Sequence, residues 1–319
     1  MNGEPLLQVR DLHKNFAITR HAVLKAVDGV SFDIAGGETL GVVGESGSGK
    51  STLGRCLLGL ISASGGEVLY GGEDLLSLAP QALKHYRRDM QMIFQNPKSS
   101  FNAKMNIHKC LMNVARFYGM NAETAEQRIA ELLLLTGLPA DALYRRSDQL
   151  SGGQLQRFAI MRALIPNPRF LVADEAVSAL DVSVQAQILN LFEDMKKTLD
   201  LTTLFISHDL TVVEYICDHV IVMYLGQVME AADAEELFRN PLHPYTVSLL
   251  EARPKTDPEE VTDYKPLEGE IPSALDLPSG CRFHTRCPRA IPGVCDTLDP
   301  PETEASPGHS VRCHLYDKK

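Results

Sequence analysis

The stretch Gly44-Glu45-Ser46-Gly47-Ser48-Gly49-Lys50-Ser51 constrains this chain more than any other. It fits G-x-x-x-x-G-K-[ST], a loop that takes phosphate when a strand delivers it and a helix leaves it. Both flanks are present: residues 38–43 read as a buried strand and residues 50–60 as a helix. Glycines let backbone N–H groups close around phosphate oxygens, and a helix N-terminus adds positive potential. Lys50 is expected to neutralise β- and γ-phosphates and Ser51 to offer its hydroxyl to Mg²⁺, with Thr52 in the same nucleotide-binding set. A glycine-rich turn with a chance lysine is the alternative, and the flanks disfavour it.

Around that loop, strand and helix signals alternate, which implies a mostly parallel sheet. Strands are expected over residues 6–12, 23–34, 67–70, 90–94, 170–173, 203–206 and 220–223, with Phe16 in a loop. Strand signals vanish from about residue 96 to 165, where 107–118, 122–136 and 153–165 read as helices, so a helical insertion within an α/β domain is predicted. Residues 183–199 form an amphipathic helix that Ser183 is expected to cap. Residues 254–278, rich in proline and acid, read as a linker or loosely packed arm. The predicted organisation is a nucleotide-binding domain over 1–232 and an extension over 233–319.

The chain's 319 residues, 44 % hydrophobic, suit a main domain with a real core and appended parts. A net charge of −10 disfavours nonspecific nucleic-acid binding. No apolar run approaches the roughly 18–20 residues of a membrane span, and residues 1–10 lack a signal pattern. A cytoplasmic chain is expected, one that reaches a membrane only through a partner.

A second motif narrows the chemistry. The apolar strand at 170–173 delivers Asp174 and Glu175 to its C-terminal end, where ligands bind in such folds. Asp174 is expected to hold Mg²⁺ and Glu175 to polarise an attacking water. A third motif decides. Leu150-Ser151-Gly152-Gly153-Gln154 precedes Gln156-Arg157 and a helix, and with it the sequence resembles the ABC ATPases over about residues 6–231. The resemblance implies a P-loop NTPase fold, α/β, with a mostly parallel core sheet, an antiparallel β subdomain, an inserted helical subdomain and a C-terminal cysteine-containing extension. It also implies roles. Phe16 stacks on adenine, Gln95 reaches Mg²⁺ and the attacking water, and His208 contacts the γ-phosphate. Ser178-Ala179-Leu180-Asp181 lies between two protomers. Alone, His208 reads as an ordinary strand-end histidine. Ser151, Gly152, Gly153 and Gln154 form an anion site at a helix N-terminus, which in the family faces ATP held by the opposite protomer.

Asn240-Pro241-Leu242-His243-Pro244-Tyr245-Thr246 and Gly280-Cys281-Arg282-Phe283-His284-Thr285-Arg286-Cys287-Pro288 resemble the C-terminal region of the oligopeptide/dipeptide importer ATPases, and of these the second ATPase subunit. His243-Pro244-Tyr245 also reads as a proline turn that starts a helix. The implied partners are a related second ATPase subunit, two transmembrane permease subunits and an extracytoplasmic substrate-binding protein, with no nucleic acid. Peptides are the implied cargo; nickel chelates or another small solute are the alternative, and a soluble non-transport ABC ATPase is a third reading. Three departures stand out. Ala176 replaces the family's proline after the catalytic glutamate, Asn102-Ala103-Lys104 lacks a proline, and Arg146-Ser147-Asp148-Gln149 lacks a proline-histidine pair. The last two segments face the membrane subunits in the family.

Of seven cysteines, Cys56, Cys110 and Cys217 read as reduced packing residues. Cys281, Cys287, Cys295 and Cys313 crowd the tail with spacing C-x₅-C-x₇-C-x₁₇-C, a pattern that points to metal. Four thiolates close a zinc site or hold an iron–sulfur cluster. The spacing lacks the short knuckles of zinc sites, Cys287-Pro288 is similar to ferredoxin cluster loops, and some importers of the resembled branch carry a [4Fe–4S] cluster here. The cluster is the expectation, zinc the alternative and no metal the third reading. His284, His309 and His314 are expected to be solvated.

Overall fold

The computed structural model of the chain describes residues 5–19, 22–253 and 269–317. They fall into two units, one of Leu7–Asp33, Leu40–Leu76 and Ser207–Lys319, the other of Met1–Leu6, Ile34–Thr39 and Ser77–Ile206. The first holds the phosphate loop and the tail; the second holds the helical insertion.

The phosphate-loop unit opens with β1 (Leu7–Ala17), β2 (Val23–Ile34) and β3 (Thr39–Val43), followed by α1 (Lys50–Leu57), β4 (Gly65–Tyr70) and β5 (Glu73–Asp74). β2, β1, β4 and β5 form one sheet in that order, with β1–β4 and β4–β5 antiparallel. Leu7 and Val9 point inward at the strand period of two, and Leu12 points inward after a one-residue slip. β1 runs past the expected end and carries Phe16, which therefore sits on a strand rather than in a loop. The register against β4 shifts between Arg10 and His13, and Asp11 takes φ 46; this bulge hides the alternation from the sequence.

The helix-rich unit contains α2 (Pro80–Asp89), β6 (Met90–Ile93), α3 (Ile107–Phe117), α4 (Ala122–Thr136), α5 (Gly152–Leu164), β7 (Phe170–Asp174), α6 (Val182–Leu199) and β8 (Thr202–Ile206). β6, β7 and β8 are parallel neighbours. Every residue of β7 and β8 is buried, the continuous apolar reading of a parallel strand covered on both faces. Asn106 and Asn121 cap α3 and α4 through their side chains, and Gly137 closes α4 at φ 63. The cap of α6 is Asp181, not Ser183. Its Oδ1 accepts the Val184 N–H at 2.9 Å and the Ser183 hydroxyl at 2.8 Å. An N-cap oxygen reaches the amide three residues on, and from Asp181 that amide is Val184.

The chain then returns to the phosphate-loop unit as α7 (Leu210–Ile216), β9 (His219–Tyr224), β10 (Gln227–Asp233), α8 (Ala234–Arg239), α9 (Pro244–Glu251), β11 (Glu302–Ser306) and β12 (His309–Arg312). Here the strands lie in the order β11-β12-β10-β9-β3, with β3–β9 parallel and the rest antiparallel. The tail thus extends a sheet of the phosphate-loop unit, through strands too short to show a pattern in sequence. Of the arm expected over 254–278, residues 254–268 lie outside the described residues, and 269–278 hold no helix or strand. Among the described residues no helix is long and apolar enough to cross a membrane.

Three anchors seat the tail. Phe283 is fully buried against Tyr224, Tyr245 and His243, at ring separations of 5.4, 5.3 and 5.8 Å; burying such a ring contributes roughly 2–3 kcal/mol. Arg282 bonds Asp28 and the Leu225 carbonyl. His309 is not solvated as expected: it is buried, with Nε2 2.8 Å from the equally buried Glu230 carboxylate. That carboxylate also accepts the N–H groups of Leu242 and His243 at 2.7 and 2.9 Å. The His314 ring is nearly buried too, between the Leu298 carbonyl and Asp317. His284 is half-buried, its Nδ1 2.8 Å from the Cys281 carbonyl. Spacing alone does not reveal such pairings.

His243 caps α9 with Pro244 as the first helical residue, so the proline-turn reading holds. Its Nδ1 accepts the Tyr245 N–H at 3.0 Å and is therefore unprotonated. Burial lowers its pKa to about 4, against the pull of Glu230. The unfolded chain takes up that proton near the ordinary 6.5, so the stability the neutral ring confers is complete above that pH and is lost as the pH falls towards 4. Acidification from pH 7 to 4 should cost up to about 3 kcal/mol at this residue. His243→Asn keeps a capping side chain without the titration, so chemical unfolding across that range should show a shallower loss in the variant than in the native chain.

Candidate nucleotide site

β3 runs into a loop with glycine at three left-handed positions: Gly44 (φ +148), Gly47 (φ +81) and Gly49 (φ +104). Two of them admit no side chain for packing reasons as well. A Cβ on Gly44 would lie 2.1 Å from the Met223 carbonyl oxygen, and one on Gly49 would lie 2.1 Å from that of Ala26. Gly47 meets nothing within 4 Å, and with Ser46 it forms the exposed crest. The Lys50 ammonium is buried and donates to the Gly44 and Glu45 carbonyls at 2.6 and 2.9 Å and to the Ser48 hydroxyl at 3.3 Å. Ser51 and Thr52, half-buried, follow in the first turn of α1, whose cap position Gly49 carries no side chain. His208 is exposed; its neighbour Ser207 donates its N–H to the Val42 carbonyl at 3.1 Å, and Asp209 caps α7. Phe16 is half-buried on β1, with the Lys14 ammonium 4.6 Å from its ring centroid.

In the helix-rich unit, buried Asp174 ends β7 and Glu175 follows at φ 48, an unusual conformation for a residue with a side chain. That turn is tied down. The Glu175 N–H donates to the Ile206 carbonyl at 3.0 Å, and the Ser178 hydroxyl donates to the Glu175 carbonyl at 3.0 Å. Gln95, just past β6, donates its amide to Glu175 Oε2 at 2.6 Å. Two residues 80 positions apart thus meet at neighbouring parallel strand ends. Ser151 caps α5 reciprocally: its hydroxyl accepts the Gln154 N–H at 3.3 Å while Gln154 Oε1 accepts the Ser151 N–H at 3.2 Å. Gly153 is required by packing, because a Cβ there would meet Val184 of α6 at 2.5 Å; Gly152 stands exposed beside it. Asp181, also exposed, is held below the ordinary carboxylate pKa by the Val184 N–H and the Ser183 hydroxyl.

A model of ABC transporters matches residues 27–178, and one of the oligopeptide/dipeptide transporter C-terminal region matches residues 229–295. A putative peptide import ATP-binding protein of Brucella ovis is 49 % identical over 314 residues, 98 % of each chain. The oligopeptide transport ATP-binding protein AppF of Bacillus subtilis is 45 % identical over 327 residues, 99 % of this chain and 98 % of that one. This chain belongs to the ABC transporter ATP-binding subunits of the oligopeptide/dipeptide importer family. As such it is an ATPase. Among solved structures, a dimeric ATP-binding cassette in a post-hydrolysis state with ADP and Pi superposes with a TM-score of 0.66 at 26 % identity, over 72 % of this chain and 98 % of that one. The cbiO1 protein of Clostridium perfringens superposes with a TM-score of 0.68 at 26 % identity, over 75 % and 92 %.

The importer-type tail holds its cysteines as free thiols: Cys281, Cys295 and Cys313 buried, Cys287 half-buried. Each influences the others electrostatically, and each faces a backbone N–H, from Phe283, Arg289, Ile291 and Leu315 for Cys281, Cys287, Cys295 and Cys313 respectively. Burial pushes the Cys281 and Cys313 thiols up to about 11. Among the described residues no three His, Cys, Asp or Glu side chains close a metal-binding group. Cys56, Cys110 and Cys217 are buried and in no disulfide among the described residues. Sequence reasoning missed Tyr245 and Arg286 as neighbours of the loop. Both lie within the two motifs of the family's C-terminal region, which was the only signal available.

The glycines make separable demands. Gly49→Ala adds a backbone clash to a left-handed φ, whereas Gly47→Ala adds only the conformational strain of roughly 1–2 kcal/mol. Thermal unfolding should therefore show a clearly larger fall for Gly49→Ala; equal falls would mean that the Ala26 contact is not a constraint.

Proposed function

We propose that this ABC ATPase sits on the cytoplasmic side of a cell membrane and energises the uptake of peptides through two permease subunits. In this reading it pairs with a related second ATPase subunit, and an extracytoplasmic binding protein supplies the cargo. The relatives named for peptide import, matched end to end, support the cargo class. Residues 1–232 serve as the nucleotide-binding domain and 233–319 as the importer-type extension. The observation that carries the catalytic reading is the Gln95–Glu175 contact at the end of β7.

The roles follow from chemistry. Gly44 to Thr52 receive the triphosphate, with Lys50 moving from the loop carbonyls to phosphate oxygens. Phe16 stacks on adenine. Ser51, Gln95 and Asp174 offer the hard oxygen donors that suit Mg²⁺, which would screen the phosphate charge. Glu175, oriented by Gln95, accepts the proton of the attacking water, and His208 donates to the γ-phosphate. Ser151, Gly152, Gly153 and Gln154, with Asp181, act on ATP held by the second ATPase subunit. Glu175→Gln in the assembled transporter should bind ATP and lose roughly 10²–10⁴-fold in turnover. Turnover near the native value would remove Glu175 from this role.

For the tail, the reading is a [4Fe–4S] cluster on Cys281, Cys287, Cys295 and Cys313, with Zn²⁺ as the alternative. Supporting it is the chemistry of the donor set, four thiols that each face an N–H donor; against it, no three of the described side chains close a metal-binding group, so the thiols would have to converge on the metal. The group would supply cross-linking of the tail rather than chemistry on ATP. Anaerobically purified protein should be brown, with about four irons per chain. One zinc and no colour would refute the cluster. An unchanged metal content and tail protease resistance in Cys281→Ser would refute the site.

A further inference from the structure

Glu45 is the one acidic residue of the phosphate loop, and the tail grips it from two sides. Arg286 forms a two-point ion pair with its carboxylate, Nη1 to Oε2 at 2.7 Å and Nη2 to Oε1 at 3.0 Å. The guanidinium is almost wholly buried, with its centre 5.9 Å from the Tyr224 ring centroid and Nη1 3.3 Å from that hydroxyl. The Glu45 N–H, meanwhile, donates to the Tyr245 hydroxyl at 2.8 Å. Burial raises the pKa of that phenol, so it stays protonated. The third side of Glu45 faces the loop itself, because its carbonyl accepts from Lys50 Nζ. The residue on which the phosphate-binding lysine leans is therefore fixed by groups outside the motif.

A second strut runs alongside. Arg282 donates to the carbonyl of Leu225, a non-glycine residue at φ 44. The next residue, Gly226, donates its N–H to the Ser48 carbonyl at 2.9 Å. Arg282 and Arg286 each neighbour a tail cysteine, so one short segment reaches the loop directly at Glu45 and, by way of Leu225 and Gly226, at Ser48.

We propose that Arg286 and Tyr245 are positioning residues for ATP binding, which neutralise Glu45 and hold the phosphate loop in the shape that accepts the triphosphate. The electrostatic argument is direct. A carboxylate within a loop that receives a polyanion opposes binding unless a cation cancels it, and it competes for the Lys50 ammonium when released. Lysine cannot replace the two-point fork together with its hydrogen bond to the Tyr224 hydroxyl. The inference rests on the loop being the ATP site; an unaltered chain that fails to bind Mg²⁺-ATP would sink that reading rather than this one.

The test is Mg²⁺-ATP titration of the full-length chain by calorimetry, with thermal unfolding measured in parallel, for Arg286→Met, Glu45→Gln and the double variant. Arg286→Met should raise the Kd about tenfold, equivalent to about 1.4 kcal/mol. Glu45→Gln/Arg286→Met should recover most of that loss, because the uncancelled charge is gone. An unchanged Kd in Arg286→Met overturns the proposal. So does a double variant that binds as weakly as Arg286→Met, since a purely structural arginine gives that result. If Arg286→Met does not fold, Tyr245→Phe and Arg286→Lys carry the test. Each should raise the Kd severalfold with the unfolding temperature retained, and an unchanged Kd in both overturns the proposal.

Discussion

A loop that gives amide hydrogens to phosphate can spend few of them on itself, here the Ser48 N–H on the Glu45 carbonyl at 3.2 Å, and buried backbone groups must be answered by something. The loop at residues 44–51 is accordingly shaped from outside. The Met223 and Ala26 carbonyls press so closely on Gly44 and Gly49 that a Cβ would collide with them. Gly226 holds the Ser48 carbonyl, and Tyr245 takes the Glu45 amide. β9, the segment after it, β2 and α9 all contribute, which explains why the strands after residue 207 belong with the loop rather than with the helical insertion. The loop's sequence names the chemistry, but its geometry is a property of the whole unit.

The helix-rich unit answers the same problem with different parts. Glu175 takes a left-handed conformation that costs of order 1 kcal/mol or more, and it persists because its amide is bonded to Ile206 and its carbonyl to Ser178. Ala176 fits this arrangement without the family's proline. It is buried, and the turn is held by hydrogen bonds rather than by a fixed ring. In the signature segment, Ser151 and Gln154 cap each other, and Gly153 lets α5 approach Val184. The letters of that motif thus serve helix initiation and packing here.

Much of this was legible. The strand over 23–34 and the helix over 122–136 appear with the expected bounds, because one is a continuous β-rich run and the other lies between an asparagine cap and a glycine stop. The residues proposed for the nucleotide site were read as motifs. The failures are those of short or interrupted patterns. A bulge at Asp11 concealed the strand that carries Phe16. Asp181 rather than Ser183 caps α6, since both are capping residues and only the three-residue reach to Val184 separates them. β12 is four residues long, too short to alternate visibly. His309 reads as solvated until its buried partner Glu230, 79 positions away, is known. Hydrogen bonding over such separations leaves no local trace.

The tail shows how a polar segment is attached with specificity. Phe283 supplies the apolar anchor and β12 pairs with β10, and the tail is further fixed by buried pairs: Arg286 with Glu45, Arg282 with Asp28, His309 with Glu230. Such pairs add little net stability when intact, because desolvation offsets attraction, yet breaking one partner leaves the other buried and uncompensated. Asp28 illustrates the balance: burial raises its pKa, and Arg282 with Lys25 more than reverses the effect. Apolar surfaces tolerate sliding, whereas two ion pairs and a buried histidine–carboxylate hydrogen bond do not tolerate a shift of register. Attachment of this kind therefore selects one seating of the tail, and in that seating its arginines reach the carboxylate that the phosphate loop carries.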